Sequence, residues 1–264
     1  MSKPSIEDFW SLSINEELCN FYRSIIRSLN VSETTKKKLS IPLLMQVSPG
    51  YMECLNRGVF IVGQETNGWG GGSIGHTYFS FAESNKNERI MMEAQSDFII
   101  NRYGRNPVKN SPFWEAVRNI AQISSDEEIA YQPYLWTNLM ACDYEGGSFI
   151  GKMKGEEDAF IEFSKQKFIG EFKMLKPKVC ILFTGPDYDF VIERFFDLPS
   201  NWKNVDIRSL KECGNTIEPS LVYVKTFVWN DCRFFRTYHP KYLRLKKMWQ
   251  IVDSLSEIVK KMLN

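Results

Sequence analysis

One carboxylate, one amide and one imidazole stand where apolar runs give way to polar residues: Glu65, Asn138 and His239. Glu65 closes Val59-Phe60-Ile61-Val62-Gly63-Gln64-Glu65, and Asn138 lies near the end of Tyr134-Leu135-Trp136-Thr137-Asn138-Leu139-Met140. His239 follows the run Arg233-Phe234-Phe235-Arg236-Thr237-Tyr238. A carboxylate can orient a water and offset developing positive charge, and an amide can read the edge of a planar ring with its donor and acceptor. A histidine can stabilise an anionic leaving group. The three together suit a hydrolysis in which a planar base is read and expelled.

The elements that must position them alternate along the chain. Apolar residues at three- and four-residue spacing predict a helix over Ile14 to Leu29, and a basic, polar linker over Ser32 to Ser40 leads through Pro42 and Pro49 to a first strand, Gly58 to Gln64. A glycine loop (Gly68, Gly70, Gly71, Gly72) follows, then a helix from about Lys86 to Tyr103. Another begins at Ser111-Pro112, with Ser111 as N-cap and Pro112 at the first helical position. The strand bearing Asn138, a helix from about Glu156 to Leu175, the strand Val179 to Gly185 and a helix over Asp187 to Phe196 come next. Two further strands, Leu221 to Val228 and Arg233 to Tyr238, are joined through Asn230-Asp231, and a last helix spans about Tyr242 to Leu263. Asn201 to Pro219 reads as an irregular insertion. Such alternation implies right-handed βαβ crossovers and a parallel sheet, with ligands above the strands' carboxyl ends.

Composition narrows the class. The 264 residues, 43% of them hydrophobic, suffice for one α/β domain. No run reaches the roughly 18 apolar residues of a membrane span and the start lacks a signal-peptide pattern, so a cytoplasmic location without membrane contact is expected. Six scattered cysteines without CxxC and two histidines argue against a zinc site or a disulfide framework. No metal and no cofactor is expected, and GQETNGWGGG lacks both the GxGxxG spacing and a GK[ST] ending. A net charge of +1 excludes a purely electrostatic nucleic-acid binder but leaves local basic faces, Lys36-Lys37-Lys38 and Lys241, Arg244, Lys246, Lys247.

The ordered set GQE, an FS pair, SPFW, TNL, an apolar strand ending in glycine, and HPKYL resembles the uracil-DNA glycosylase superfamily, in particular its branch with the motifs GQDPYH and HPSPL. The likeness runs from about Gly58 to Leu243 as short motifs rather than continuous similarity. It implies a single three-layer α/β/α domain over 1–264 around a central, mainly parallel four-stranded sheet, with 1–45 as a helical extension packed on it. The implied activity is metal-free, cofactor-free hydrolysis of an N-glycosidic bond in DNA by a monomeric enzyme, leaving an abasic site.

Carried over residue by residue, the resemblance makes Glu65 the water-positioning carboxylate and His239 the imidazole that stabilises the departing base. Gln64 and Asn138 contact the base, and Phe79 is the stacking ring, with Tyr78 and Phe81 as alternatives. Leu243 is the apolar wedge that fills the vacated stack, beside the DNA contacts Lys241, Arg244 and Ser111. The sequence departs from the family at Glu65, one methylene longer than Asp, and at Thr66-Asn67, where the family has Pro-Tyr. That tyrosine excludes C5 substituents, so Asn67 and the following glycines imply a modified or non-standard pyrimidine, such as a C5-substituted cytosine of phage DNA removed in defence. Ordinary uracil excision in repair and a catalytically inactive DNA-binding protein are the alternatives.

Overall fold

The computed structural model describes residues 5–53, 58–69, 77–83, 88–102, 110–121, 134–198 and 224–263. The chain opens with α1 (Ile6–Trp10), α2 (Ser13–Ile25), the short α3 (Glu33–Lys36) and α4 (Pro49–Glu53), then enters β1 (Val59–Gly63). Next come α5 (Tyr78–Glu83), α6 (Glu88–Asp97), which runs into a π-helical turn over Phe98–Arg102, α7 (Pro112–Ala121) and β2 (Tyr134–Asn138). The long α8 (Glu157–Leu175), β3 (Val179–Leu182), a 3-10 turn over Pro186–Tyr188 and α9 (Asp189–Phe196) follow. The chain closes with β4 (Lys225–Trp229), β5 (Cys232–Arg236), α10 (Pro240–Leu245) and α11 (Gln250–Leu263).

The class is α/β, with a mostly parallel sheet in the order β2-β1-β3-β5-β4. It has five strands rather than four. β2, β1, β3 and β5 run parallel, and β4 adds an antiparallel edge because Asn230 and Asp231, both at positive φ (47° and 62°), form a two-residue hairpin turn matching the strands' twist. From β1 the chain crosses to β2 on one side and then to β3 on the other. The order therefore reverses between β1 and β3, and a crevice opens above their carboxyl ends.

β1, β2 and β3 are buried on both faces and read as continuous apolar runs for that reason. Alternate strand residues feed two cores. Phe60, Val62, Cys180, Leu182 and Phe234 meet α2, α8 and α9, whereas Ile61, Val179, Ile181 and Phe235 meet α7, α10 and α11. Cys19, Cys142, Cys180 and Cys232 are buried and unpaired, while Cys54 and Cys213 lie outside the described residues. No helix among the described residues is long and apolar enough to cross a membrane.

Two expectations need correction. The polar linker expected over Ser32 to Ser40 carries a short helix, α3. Ser32 caps α3, its hydroxyl accepting the Thr35 N–H at 3.2 Å, and Leu39 and Ser40 are buried; beyond them Ile41, Leu44, Met45 and Val47 join the core that includes α2, while Leu43 joins the other core. The last helix is broken, since Lys247 takes a left-handed φ of 58° between α10 and α11. The expected insertion over Asn201 to Pro219 lies outside the described residues, as does His76.

Candidate functional site

A cleft of ≈ 1110 Å³ opens above the carboxyl ends of β1, β2 and β3. Gln64, Glu65, Asn67, Ser111, Asn138, His239 and Lys241 all line it, so seven of the residues singled out in the sequence converge on one place.

Backbone pairing sets their spacing. Gly63 is in register with Asn138, and beyond the strands Leu139 N–H donates to Gly63 O and Met140 N–H to Gln64 O, each at 3.0 Å. Gln64 reaches across the crevice and donates from Nε2 to Thr184 O at 2.7 Å, tying the end of β1 to that of β3. Gly63 must be glycine, because a Cβ there would sit 2.3 Å from Asn138 Oδ1. The amide lies over β1 only because that position is bare. Asn138 is buried, and its Nδ2 has no partner among the described residues. A buried orphan donor costs about 1–3 kcal/mol and marks where an acceptor belongs.

Behind Asn138 a buried network fixes β2. Thr137 Oγ1 receives Lys167 Nζ at 3.1 Å and donates to Glu171 Oε2 at 3.0 Å. Lys167 pairs with Glu171 at 2.8 Å, and Tyr22 of α2 donates to the same carboxylate at 2.6 Å. The N-terminal helices thereby support the strand that presents the amide.

Glu65 is held from the opposite wall. Its Oε1 accepts from the Tyr188 hydroxyl and from Phe149 N–H at 3.3 Å. Burial raises its pKa to about 7; the Tyr188, Phe149 and Ser148 hydrogen bonds oppose that rise, and nearby Asp143 adds to it. Near neutrality this carboxyl exchanges between acid and base, the condition for proton transfer. His239 is pushed the other way, down to about 4, by burial and then by Lys241. It is therefore a neutral imidazole at physiological pH. Its Nδ1 accepts the Lys241 N–H at 3.2 Å, which leaves the proton on Nε2, and its ring lies near-parallel to Phe113, centroids 5.9 Å apart and planes 19° apart.

The loop after Glu65 is pinned by Asp143, whose carboxylate accepts from the Thr66 hydroxyl, Gly68 N–H and, at 2.8 Å, Gly146 N–H. Asn67 is exposed at the rim with φ 52°, a conformation that asparagine tolerates better than most residues. Trp69 turns back into the cleft, its ring edge-on to Phe98 at 5.7 Å and to Trp136 at 5.9 Å.

Two expected residues fall elsewhere. Leu243 is wholly buried in the α7, α10 and α11 core and cannot be a surface wedge; the exposed apolar residue of α10 is Leu245, at 75%. Arg244 stands outside the cleft, paired with Glu115 and lying over the Trp249 ring at 4.9 Å. Phe79 belongs to α5, and its side chain is outside the described residues. The alternatives Tyr78 and Phe81 are core residues, each 1% exposed. Sequence reading misses Tyr188, which lies between Asp187 and Asp189 at the start of the expected helix, and misses Asp143 and the aromatic wall. Trp69, the one large aromatic residue among the loop's glycines, was the available signal.

Comparison of the chain with protein-family models and with curated proteins finds no match.

Proposed function

We propose that this chain is a monofunctional DNA glycosylase that releases a modified or non-standard pyrimidine, with the three-layer α/β/α arrangement of the uracil-DNA glycosylase superfamily. The convergence of Glu65, Asn138 and His239 from three strand ends on one cleft, with the buried Asn138 donor unpartnered among the described residues, carries the reading. The amide meets an acceptor on the edge of the base, and Phe113 continues its surroundings as a flat apolar wall.

In the reaction the N1–C1′ bond breaks and its electron pair leaves with the base. His239, neutral and with its proton on Nε2, donates a hydrogen bond to the base oxygen on which negative charge develops. Glu65 in its anionic form faces the positive charge at C1′ and takes a proton from the water whose oxygen bonds there. The base departs as its anion and takes a proton from solvent, Glu65 gives the water's proton back to solvent, and the products are the free base and an abasic site. Neutral His239 suits this task, since a hydrogen-bond donor that keeps its proton stabilises the anion without a transfer.

A DNA surface lies beside the cleft. Lys241, Arg244, Lys246 and Lys247 are exposed along α10 and the turn after it, Leu245 projects among them, and Tyr242 stacks on Tyr238 at 4.5 Å. Cations interleaved with exposed apolar and aromatic groups suit a backbone contact with a wedge, a role that passes from Leu243 to Leu245. Asn67 at the rim supports relaxed exclusion at C5, and removal of modified phage cytosines in defence is the setting this favours.

Mass spectrometry of bases freed from a panel of natural and modified DNAs tests the reading. Release is expected, and Glu65→Ala and His239→Ala are each expected to lower it by about 10²-fold or more. Uracil release with none from C5-modified DNA selects ordinary repair. Salt-sensitive DNA binding without any release selects an inactive binding protein.

A further inference from the structure

Asp143, 1% exposed, takes no part in lining the cleft. It borders a smaller cavity of ≈ 240 Å³, and Gly68 and Trp69 line both spaces, so the loop after Glu65 is the partition between them. One carboxylate oxygen of Asp143, Oδ2, accepts from the Thr66 hydroxyl and from Gly68 N–H. Those donors flank Asn67, which therefore crowns an arch standing on a single oxygen. The other oxygen accepts Gly146 N–H at 2.8 Å. The backbone of Asp143 is fixed in turn by Ser40, whose hydroxyl accepts the Asp143 N–H and whose N–H donates to Asp143 O, each at 3.0 Å. Asn67 and Gly68 hold left-handed φ of 52° and 82°. A side chain at such a φ persists only where its surroundings over-determine it, and two bonds to a buried, anchored oxygen do so.

Resting on the proposed base release, we infer that Asp143 is a positioning residue for base selection: through the arch it fixes Asn67 at the rim in a conformation that leaves room beside C5 of the base. It acts on the rim rather than on the reacting atoms, because Glu65 is secured separately. The Glu65 carboxylate is held by the Tyr188 hydroxyl and Phe149 N–H, and the chain before it is locked by Leu139 N–H on Gly63 O and Met140 N–H on Gln64 O. Loss of the arch frees Asn67 to leave its left-handed φ while Glu65 keeps its clamps. A rim that moves costs a base with a C5 substituent more than one without, since only the former uses that room. A carboxylate suits the task, because it offers acceptors on both oxygens and no donor to oppose the Thr66, Gly68 and Gly146 donors that face it.

Four duplexes of one sequence test this, carrying a single uracil, 5-hydroxymethyluracil, cytosine or 5-hydroxymethylcytosine, so that each pair differs only at C5. The readout is the kcat/KM ratio of the substituted to the unsubstituted base within a pair, an unreleased base entering at the detection limit. Thr66→Val removes the hydroxyl donor at similar volume and is expected to lower that ratio by about fivefold. Thr66→Ser, which keeps the donor, should hold the wild-type ratio. Asp143→Ala removes both legs of the arch and should lower the ratio further; if that variant does not fold, the two Thr66 variants carry the test. A ratio unmoved by Thr66→Val, as when both members of a pair lose equally, or an equal fall with Thr66→Ser overturns the role of Asp143 in selection and leaves base release standing. Release of uracil or cytosine with neither substituted base denies the room at C5 and overturns it as well. Release of none of the four by a cooperatively folded protein removes the activity itself, and the inference with it.

Discussion

The Tyr188 hydroxyl donates to Glu65 Oε1, so a residue at the end of β3's loop holds the carboxylate delivered by β1 across the crevice where the strand order reverses. The bond favours the anion against the burial that raises Glu65 to about 7. With His239 depressed to about 4, Glu65 rather than His239 is the member of the site that changes charge near neutrality. The pH profile of kcat/KM is therefore expected to rise with a midpoint near 7 and then stay level, without a falling histidine limb. In Tyr188→Phe the midpoint should move up by about one unit. A bell-shaped profile, or a midpoint that moves down, contradicts the assignment of Glu65 as the working anion.

The same shift makes stability depend on pH. Below about 4.5 Glu65 is protonated in both the folded and the unfolded chain and carries no penalty. As pH rises toward 7 the unfolded chain ionises while the folded one holds its proton, so stability is lost through that window and the loss is complete above it. Glu65→Gln, which cannot ionise, is expected to gain over the wild type between pH 4.5 and pH 8, by up to about 3 kcal/mol. Thermal unfolding of both proteins at the two pH values reads the difference directly. A gain that shrinks as pH rises reverses the sign and rules out a raised pKa.

The sheet was legible because β1, β2 and β3 are buried on both faces and so read as unbroken apolar runs, each ending where its polar cargo begins. Glu65 and Asn138 are visible for that reason, His239 stands where the run of β5 gives out, and Gly63 and Pro240 punctuate their strands. Leu243 was misread because an apolar residue at a fixed offset from His239 says nothing of which way it points. Within α10 Leu243 is wholly buried while Leu245, two residues on, stands in solvent. Tyr188 and Asp143 were invisible because they act through tertiary contacts 123 and 77 positions away in sequence, which no local periodicity encodes.

Gly63 and Asn138 form one unit. Gly63→Ala places a methyl 2.3 Å from Asn138 Oδ1, with Phe113 also within 3.7 Å, so the amide must swing away. The expected cost is about 1–3 kcal/mol in stability. A fall in kcat/KM of about 10²-fold should accompany it, similar to that of Asn138→Ala. Because both substitutions remove the same reader, their combination should cost little more than either alone in activity. Fully multiplicative losses in a double-mutant cycle show instead that Asn138 and Gly63 act independently.

Leu243 and Leu245 separate folding from DNA contact within one helix. Leu243 is wholly buried against α7 and α11, so Leu243→Ala opens a cavity and is expected to destabilise by about 2–5 kcal/mol. Leu245 is 75% exposed, and truncating it touches no core. Leu245→Ala is therefore expected to keep the wild-type melting temperature within about 1 kcal/mol of stability. Its turnover of duplex DNA should fall several-fold, while a single-stranded substrate, which has no stack to refill, is spared. Equal losses on the two substrates place Leu245 among ordinary surface contacts, and a lowered melting temperature places it in the core that the structure assigns to Leu243.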